Sequence, residues 1–257
     1  MTNLEVRGSK IHAARSPNAT DHNVVELTAF NTDGFDVTGR NVWIHDSEVW
    51  NQDDCIAVKD GSEDMLFERI TASGVGLTIG SIGGGNSVRN ITFRDSVMPN
   101  TYKGIYLKFR DSGGSISDVT FENIRIENPE QWPIWIGPAQ QSDSDRLCAA
   151  HPCSICWPEA ARSECGAPAA GTYANITLRN VTVVNPKLSP GVILANASNP
   201  MTNVVFEDVV VENPPPGGVW GTEYWKCEGV ASGVATGTTW PVPPCFEDLT
   251  DAALARG

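Results

Sequence analysis

Apolar and polar residues alternate along this chain in short bursts, and one burst recurs. An Asn or Asp leads into alternating β-branched, aromatic or aliphatic residues, and a Gly, Pro or Asn turn follows. The instances are Asn41-Val42-Trp43-Ile44, Asp64-Met65-Leu66-Phe67, Asn90-Ile91-Thr92-Phe93, Asp118-Val119-Thr120-Phe121, Asn175-Ile176-Thr177-Leu178 and Asn203-Val204-Val205-Phe206. From fourth residue to fourth residue the steps are 23, 26, 28, 57 and 28. The 57 is either two coils or one coil with an insertion. Helical periodicity is nearly absent. Period-two alternation predicts strands, and a repeat in the twenties predicts a solenoid. A leucine-rich repeat would need a Leu/Asn consensus that is missing. A β-sandwich would not repeat one four-residue signature in register. The expected fold is therefore all-β, a right-handed parallel β-helix with like strands stacked about 4.8 Å apart. Each coil needs neighbours to cover it.

Two segments break the rhythm. Residues 140–171 hold Cys148, Cys153, Cys156 and Cys165 among Pro, Ala and Ser, which predicts a Cys-rich loop inserted between coils. Residues 214–257 are Pro/Gly-rich and carry Trp220, Trp225, Trp240, Cys227 and Cys245. They are expected to cap the last coil, with a short helical end after Asp251. The whole chain, 1–257, then reads as one domain. Cys55 lies in an apolar strand and is expected to be a buried free thiol. The other six cysteines suit three disulfides, with the pairing inside the insertion left open. Zinc on Cys148, Cys153, Cys156 and Cys165 is the alternative, but its spacing is loose. The sequons at Asn18, Asn90, Asn175, Asn180 and Asn196 partly restate the repeat's own Asn-Ile-Thr and weigh little for glycosylation.

Composition narrows the partners. The 257 residues carry a formal charge of −13, so neither nucleic acid nor an anionic membrane surface is an expected partner. No apolar run approaches the roughly 20 residues of a spanning helix. Met1–Arg7 shows no basic segment leading into an apolar one, so no signal peptide is read there. His12, His22, His45 and His151 are not spaced as metal ligands and read as incidental. No metal or other cofactor is expected.

The candidate chemistry lies in two acidic clusters. One is Asn31-Thr32-Asp33-Gly34-Phe35-Asp36, and the other is Asn51-Gln52-Asp53-Asp54-Cys55. Asp33 and Asp53 are 20 residues apart, close to one coil, which predicts that Asp33 sits one rung from Asp53 and Asp54. Three carboxylates so close should raise at least one pKa. An acid beside an ionised carboxylate is what glycosidic hydrolysis needs. Asp36 and Asp46 read as ordinary turn residues.

These residues resemble glycoside hydrolase family 28, the polygalacturonase family of pectin-lyase-like β-helices. Asn-Thr-Asp-Gly at Asn31 and Gln-Asp-Asp-Cys at Gln52 match its catalytic segments. Ser73-Gly74-Val75-Gly76 is similar to its Gly-His-Gly segment, and Ile105-Tyr106-Leu107-Lys108 to its Arg-Ile-Lys segment. The resemblance covers about residues 1–210. It implies inverting hydrolysis of a pectin-like polysaccharide by a secreted protein that is monomeric at full length. Asp53 would be the general acid, and Asp33 and Asp54 would hold and deprotonate the water. Carboxyl separations of roughly 6.5–9.5 Å would admit that water. Lys108 would contact a substrate carboxylate, and Asn31 would support Asp33. Tyr106 would stack on a sugar, and Trp132 or Trp135 would offer a further platform in the cleft. For Trp135 a place in the coil interior is the alternative.

The chain departs from that family at three points. Val75 replaces its His, and Tyr106 replaces its Arg. Tyr cannot form a bidentate pair with a carboxylate, so a neutral or mixed backbone is expected to fit better than polygalacturonate. The first catalytic Asp comes early, which implies that N-terminal coils are missing and that the exposed first coil promotes association. A catalytically weakened glycan-binding protein is the alternative function. A lyase would need an Arg or Lys base, and a purely structural β-helix gives no reason for the carboxylate trio.

Overall fold

The computed structural model describes residues 2–13, 31–110, 113–139, 167–215 and 225–255. Its strands form two parallel sheets. The larger sheet runs β1 (Thr2–Arg7), β4 (Arg40–Trp50), β6 (Glu63–Ser73), β8 (Ser87–Pro99), β10 (Ser115–Glu127), β12 (Thr172–Val184), β14 (Thr202–Glu212), β16 (Gly233–Gly237), β17 (Glu247–Thr250). The short β2 (Lys10–His12) also pairs with β4. The smaller sheet runs β3 (Phe35–Val37), β5 (Asp54–Val58), β7 (Gly76–Ile82), β9 (Ile105–Phe109), β11 (Ile134–Pro138), β13 (Gly191–Leu194), β15 (Trp225–Glu228). One long strand, a turn and one short strand make a coil of a parallel β-helix. β10 pairs directly with β12, Phe121 opposite Leu178. The 57-residue step is therefore one coil with an insertion.

The recurring Asn or Asp has a backbone cause. Among the described residues, seventeen of the eighteen non-glycine residues with positive φ are Asn or Asp, the exception being Arg69. They stand where the chain turns a corner, and their short polar side chains tolerate the left-handed conformation best. Stacked corners then join through their side chains. Asn128 Nδ2 donates to Asn100 Oδ1 at 2.9 Å, and Asn185 Nδ2 to Asn128 Oδ1 at 3.1 Å. Asn180 Nδ2 donates to Asn123 Oδ1, and Asn123 Nδ2 to Asp95 Oδ1, both at 2.8 Å. Asn90, Asn175 and Asn180 thus commit to these ladders the nitrogen that a glycan would occupy.

Inside the coils, like residues stack on like. Phe67, Phe93 and Phe121 stack with ring centroids 4.8 and 4.7 Å apart, close to the strand spacing. Each is fully buried. In the last coil and the segment after it, Trp225 of β15 and Phe246 pack on Phe206, and a Cys227–Cys245 disulfide ties them together. A short helix, α1 (Asp251–Leu254), follows β17, capped by Thr250. Cys55 is a buried free thiol, as expected. Cys148, Cys153, Cys156, Cys165, Asn18, His22 and His151 lie outside the described residues. No helix among the described residues is long and apolar enough to cross a membrane.

The corners make a stability prediction. Asn123→Ala loses ladder bonds and forces a Cβ-bearing residue without a local acceptor into the left-handed region, costing about 2–3 kcal/mol. Asn123→Gly loses the bonds but accepts the backbone, and should cost about 1–2 kcal/mol. Urea midpoints should rank wild type, then Gly, then Ala; Ala at or above Gly contradicts the corner argument.

Candidate active site

Asp33 precedes β3, and Asp53-Asp54 open β5, the strand paired with β3. Gly34 N–H donates to Asp54 O at 2.9 Å, which docks the first acidic segment on the second. A Cβ at Gly34 would lie 2.4 Å from Cys55 O and 2.5 Å from Val49 Cγ1, so only glycine allows this approach. The result is a cluster in which one carboxylate oxygen from each of Asp33, Asp53 and Asp54 lies within 4.8 Å of the others. The one-rung reading of the 20-residue spacing therefore agrees with the structure. That distance joins one oxygen of each residue, whereas the roughly 6.5–9.5 Å expected for an inverting pair refers to whole carboxyl groups. Carboxylate spacing alone does not carry the stereochemical expectation.

Each carboxylate has a different environment. Asp53 Oδ1 accepts the Asp54 N–H, and its Oδ2 accepts the Asn31 N–H, both at 2.8 Å. Asn31 thus supports Asp53 rather than Asp33, and does so through its backbone. Its left-handed φ of 58° aims that N–H. Asp54 is buried, accepts Thr78 Oγ1–H at 3.0 Å, and pairs with Lys108 Nζ at 2.9 Å. Asp33 keeps only a looser ion pair, 3.7 Å from Lys59 Nζ, which lies closer to Asp36 at 3.0 Å. Burial, followed by the charges of Asp53 and Asp54, pushes Asp33 up to about 6. Three converging carboxylates are also a donor set that a hard cation accepts, though Lys108 and Lys59 already face two of them.

Sequence patterns assigned no role to Asn51, Thr78 or Lys59, although Asn51 stands in the second acidic cluster. Asn51 is the hub of the acidic turn. Its Nδ2 donates to Thr32 O at 2.7 Å and Asp54 O at 3.0 Å, and its Oδ1 accepts from Cys55 Sγ at 3.2 Å. A Cβ at Gly74 would fall 1.9 Å from that Oδ1, which explains the glycine before Val75. Thr78 was legible only as the residue one rung beyond Ala57.

The two substituted positions meet the same apolar cluster. Val75 packs against a second apolar cluster that contains Tyr106, Trp132, Trp135, Val192 and Leu194. Tyr106, Trp132 and Trp135 meet edge to face at 6.1 and 5.9 Å. Trp135 lies outside the coil interior, since Ile134 and Ile136 on either side belong to the main core. Trp132 and Trp135 are fully buried and Tyr106 is 2% exposed, so none presents an open sugar platform. Two lysines approach the Tyr106 ring instead, Lys108 Nζ at 4.3 Å and Lys103 Nζ at 5.1 Å from its centroid. Lys103 donates to Gln131 Oε1. Burial first, and Lys108 second, push Lys103 down to about 7.

A parallel β-helix with a compact carboxylate trio on a turn beside its short-strand sheet defines a class, that of β-helical proteins with a glycosidase-type acidic centre. The chain belongs to glycosyl hydrolases family 28, whose family model matches residues 2–236. It is 36% identical over 151 residues to a "Probable endopolygalacturonase A" of Neosartorya fischeri, 53% of this chain and 40% of that protein. It is 40% identical over 114 residues to a "Probable rhamnogalacturonase C" of Aspergillus flavus, 44% of this chain and 25% of that protein. The chain thus spans well under half the length of these relatives. An endo-xylogalacturonan hydrolase structure from Aspergillus tubingensis shares the fold over 97% of this chain and 59% of its own, with TM-score 0.58 and 20% identity. An exopolygalacturonase structure from Thermotoga maritima does so over 98% and 48%, with TM-score 0.60 and 16% identity.

The raised Asp33 makes a pH prediction. Between 3.8 and about 6 the folded chain holds more proton at Asp33 than the unfolded chain does. This group's stabilisation is full below its unfolded value and is lost as pH rises through about 6. Asp33→Asn should therefore be more stable than wild type near pH 7 by about 1 kcal/mol, allowing for partial exposure. The advantage should shrink near pH 3.5. An equal offset at both pH values in urea titrations would sink this account.

Proposed function

We propose that this chain hydrolyses glycosidic bonds in a pectin-type polysaccharide by acid/base catalysis on Asp33, Asp53 and Asp54. The observation that carries the reading is the trio itself, three carboxylates within 4.8 Å in a family 28 chain, one of them raised to about 6. Asp53 gives its proton to the leaving oxygen. A water held by Asp33 and Asp54 attacks the anomeric carbon, loses its proton to them, and the glycosidic C–O bond breaks. One oxygen of Asp33 lies within 4.8 Å of one of Asp53, and the charge of Asp53 helps to raise Asp33. Lys108 and Thr78 hold Asp54 in place, and Lys108 is the nearest cation for a substrate carboxylate. Secretion and action on a cell-wall glycan belong to the same proposal.

Backbone choice follows from the neighbours of Lys108. The Val75–Tyr106 cluster supplies no guanidinium, so a backbone mixing galacturonate with neutral sugar is favoured over polygalacturonate. The rhamnogalacturonase name of one relative supports this. A weakened glycan-binding role is less favoured, because loss of catalysis gives no reason to retain the trio.

Reducing-end release should be measured on rhamnogalacturonan, xylogalacturonan, polygalacturonan and neutral glycans. Release is expected to be fastest on a mixed backbone and to fall at least about 100-fold in Asp53→Asn. No release on any pectic substrate from folded protein would refute the reading. NMR of the first product should show the anomer opposite to the cleaved linkage; the same anomer would mean retention.

A further inference from the structure

The outer face of the large sheet carries three parallel columns that catalysis does not use. The middle column runs Trp43, Leu66, Thr92, Thr120, Thr177, Val205, one residue per coil in direct register. On one side stand the left-handed corners, from Asn41 to Asn203. On the other stands a column of ionisable residues, His45, Glu68, Arg94, Glu122, Arg179, Glu207. Over the rungs of β1, β4, β6 and β8 the face forms a trough, with Trp43, Leu66 and Thr92 in its lining beside Asn41, Asp64 and Asn90. Around Trp43 and Leu66 it opens into a shallow depression that reaches Arg94.

Thr and Val on a sheet face need no explanation beyond strand propensity. Trp43 does, because it leaves 37% of its surface exposed. Its orientation is also fixed. The indole N–H donates to Glu68 Oε1 at 3.1 Å, and the ring stacks on His45 with centroids 3.9 Å apart. Glu68 is itself buried and clamped by Arg69 at 2.7 Å and Arg94 at 2.6 Å. His45 is held by Asp46 at 2.5 Å and Glu5 at 3.1 Å. It is therefore part of a built network rather than an incidental histidine. A large exposed aromatic locked by a buried charge network is a pre-formed contact surface, whose ordering cost is already met.

Charge selects the occupant. Arg94 is paired with Glu68, and Arg179 with Glu207 at 2.7 Å and Glu122 at 3.6 Å. The cations of this wall are matched by carboxylates, and Glu5 and Asp64 add further negative charge at the depression. A polyanion gains nothing here. An uncharged glycan does: its apolar ring face suits an indole, its hydroxyls suit amide and carboxylate walls, and an extended chain lies along the rungs. We propose that this trough is a second glycan site, away from the carboxylate trio, which takes one uncharged polysaccharide chain with Trp43 as its anchor.

Affinity gel electrophoresis of the full chain in soluble xylan and β-glucan tests this, with polygalacturonate as the charged comparator. Wild type should be retarded by a neutral glycan, and Trp43→Ala should weaken the retardation at least about tenfold. Thr92→Arg, which places a bulky charge on the floor one coil beyond Leu66, should do the same if Trp43→Ala proves unstable. The readout is binding, so it stands or falls separately from hydrolysis. No retardation by either neutral glycan overturns the proposal, as does retardation by polygalacturonate alone. Equal retardation of wild type and both variants also overturns it. Concentration-dependent dimerisation lost in Trp43→Ala would assign the face to a second copy of the chain instead.

Discussion

Everything in this protein depends on the register between coils. A parallel strand leaves both faces and both edges to be satisfied by neighbours, so a coil is stable only when the next one repeats its corners in place. The left-handed Asn and Asp residues enforce that repeat. They turn the backbone where L-residues rarely turn, and their amides bond to the same corner one coil away. Phenylalanine rings stacked at the strand spacing then fill the interior without change of shape from coil to coil.

The acidic site is this register put to chemical use. Like charges do not gather by attraction. Asp33, Asp53 and Asp54 meet because β3 and β5 must pair, and because glycines 34 and 74 let adjacent turns approach closely. Asn51 sits between the two turns and ties them through three hydrogen bonds. The repulsion that results is relieved by Lys108 on Asp54 and by proton retention at Asp33.

Val75 and Tyr106 read as two separate losses in the sequence. In the fold they are one change. Val75 and Tyr106 share one apolar cluster, and Lys103 and Lys108 both approach the Tyr106 ring. A guanidinium at position 106 would face the Lys108 ammonium at close range, so the tyrosine suits the charge already present.

The sequence by itself determined the architecture, since period-two alternation recurring at coil length has few other solutions. It also determined the neighbourhood of the trio, because one coil of separation means one rung. It was silent on burial. Trp132 and Tyr106 looked like sugar platforms and are enclosed, since Tyr106 on β9 and Trp132 ahead of β11 pack into a second apolar cluster outside the coil interior. Asn31 looked like a partner of Asp33 and serves Asp53 through its backbone, a contact that side-chain chemistry does not encode. Thr78 and Lys59, and Asn51 within its acidic cluster, gain their roles from how closely the turns pack. The carboxylate separation, too, was left to the tertiary structure. Spacing along a chain counts rungs, whereas the ångströms between side chains depend on how closely two turns pack.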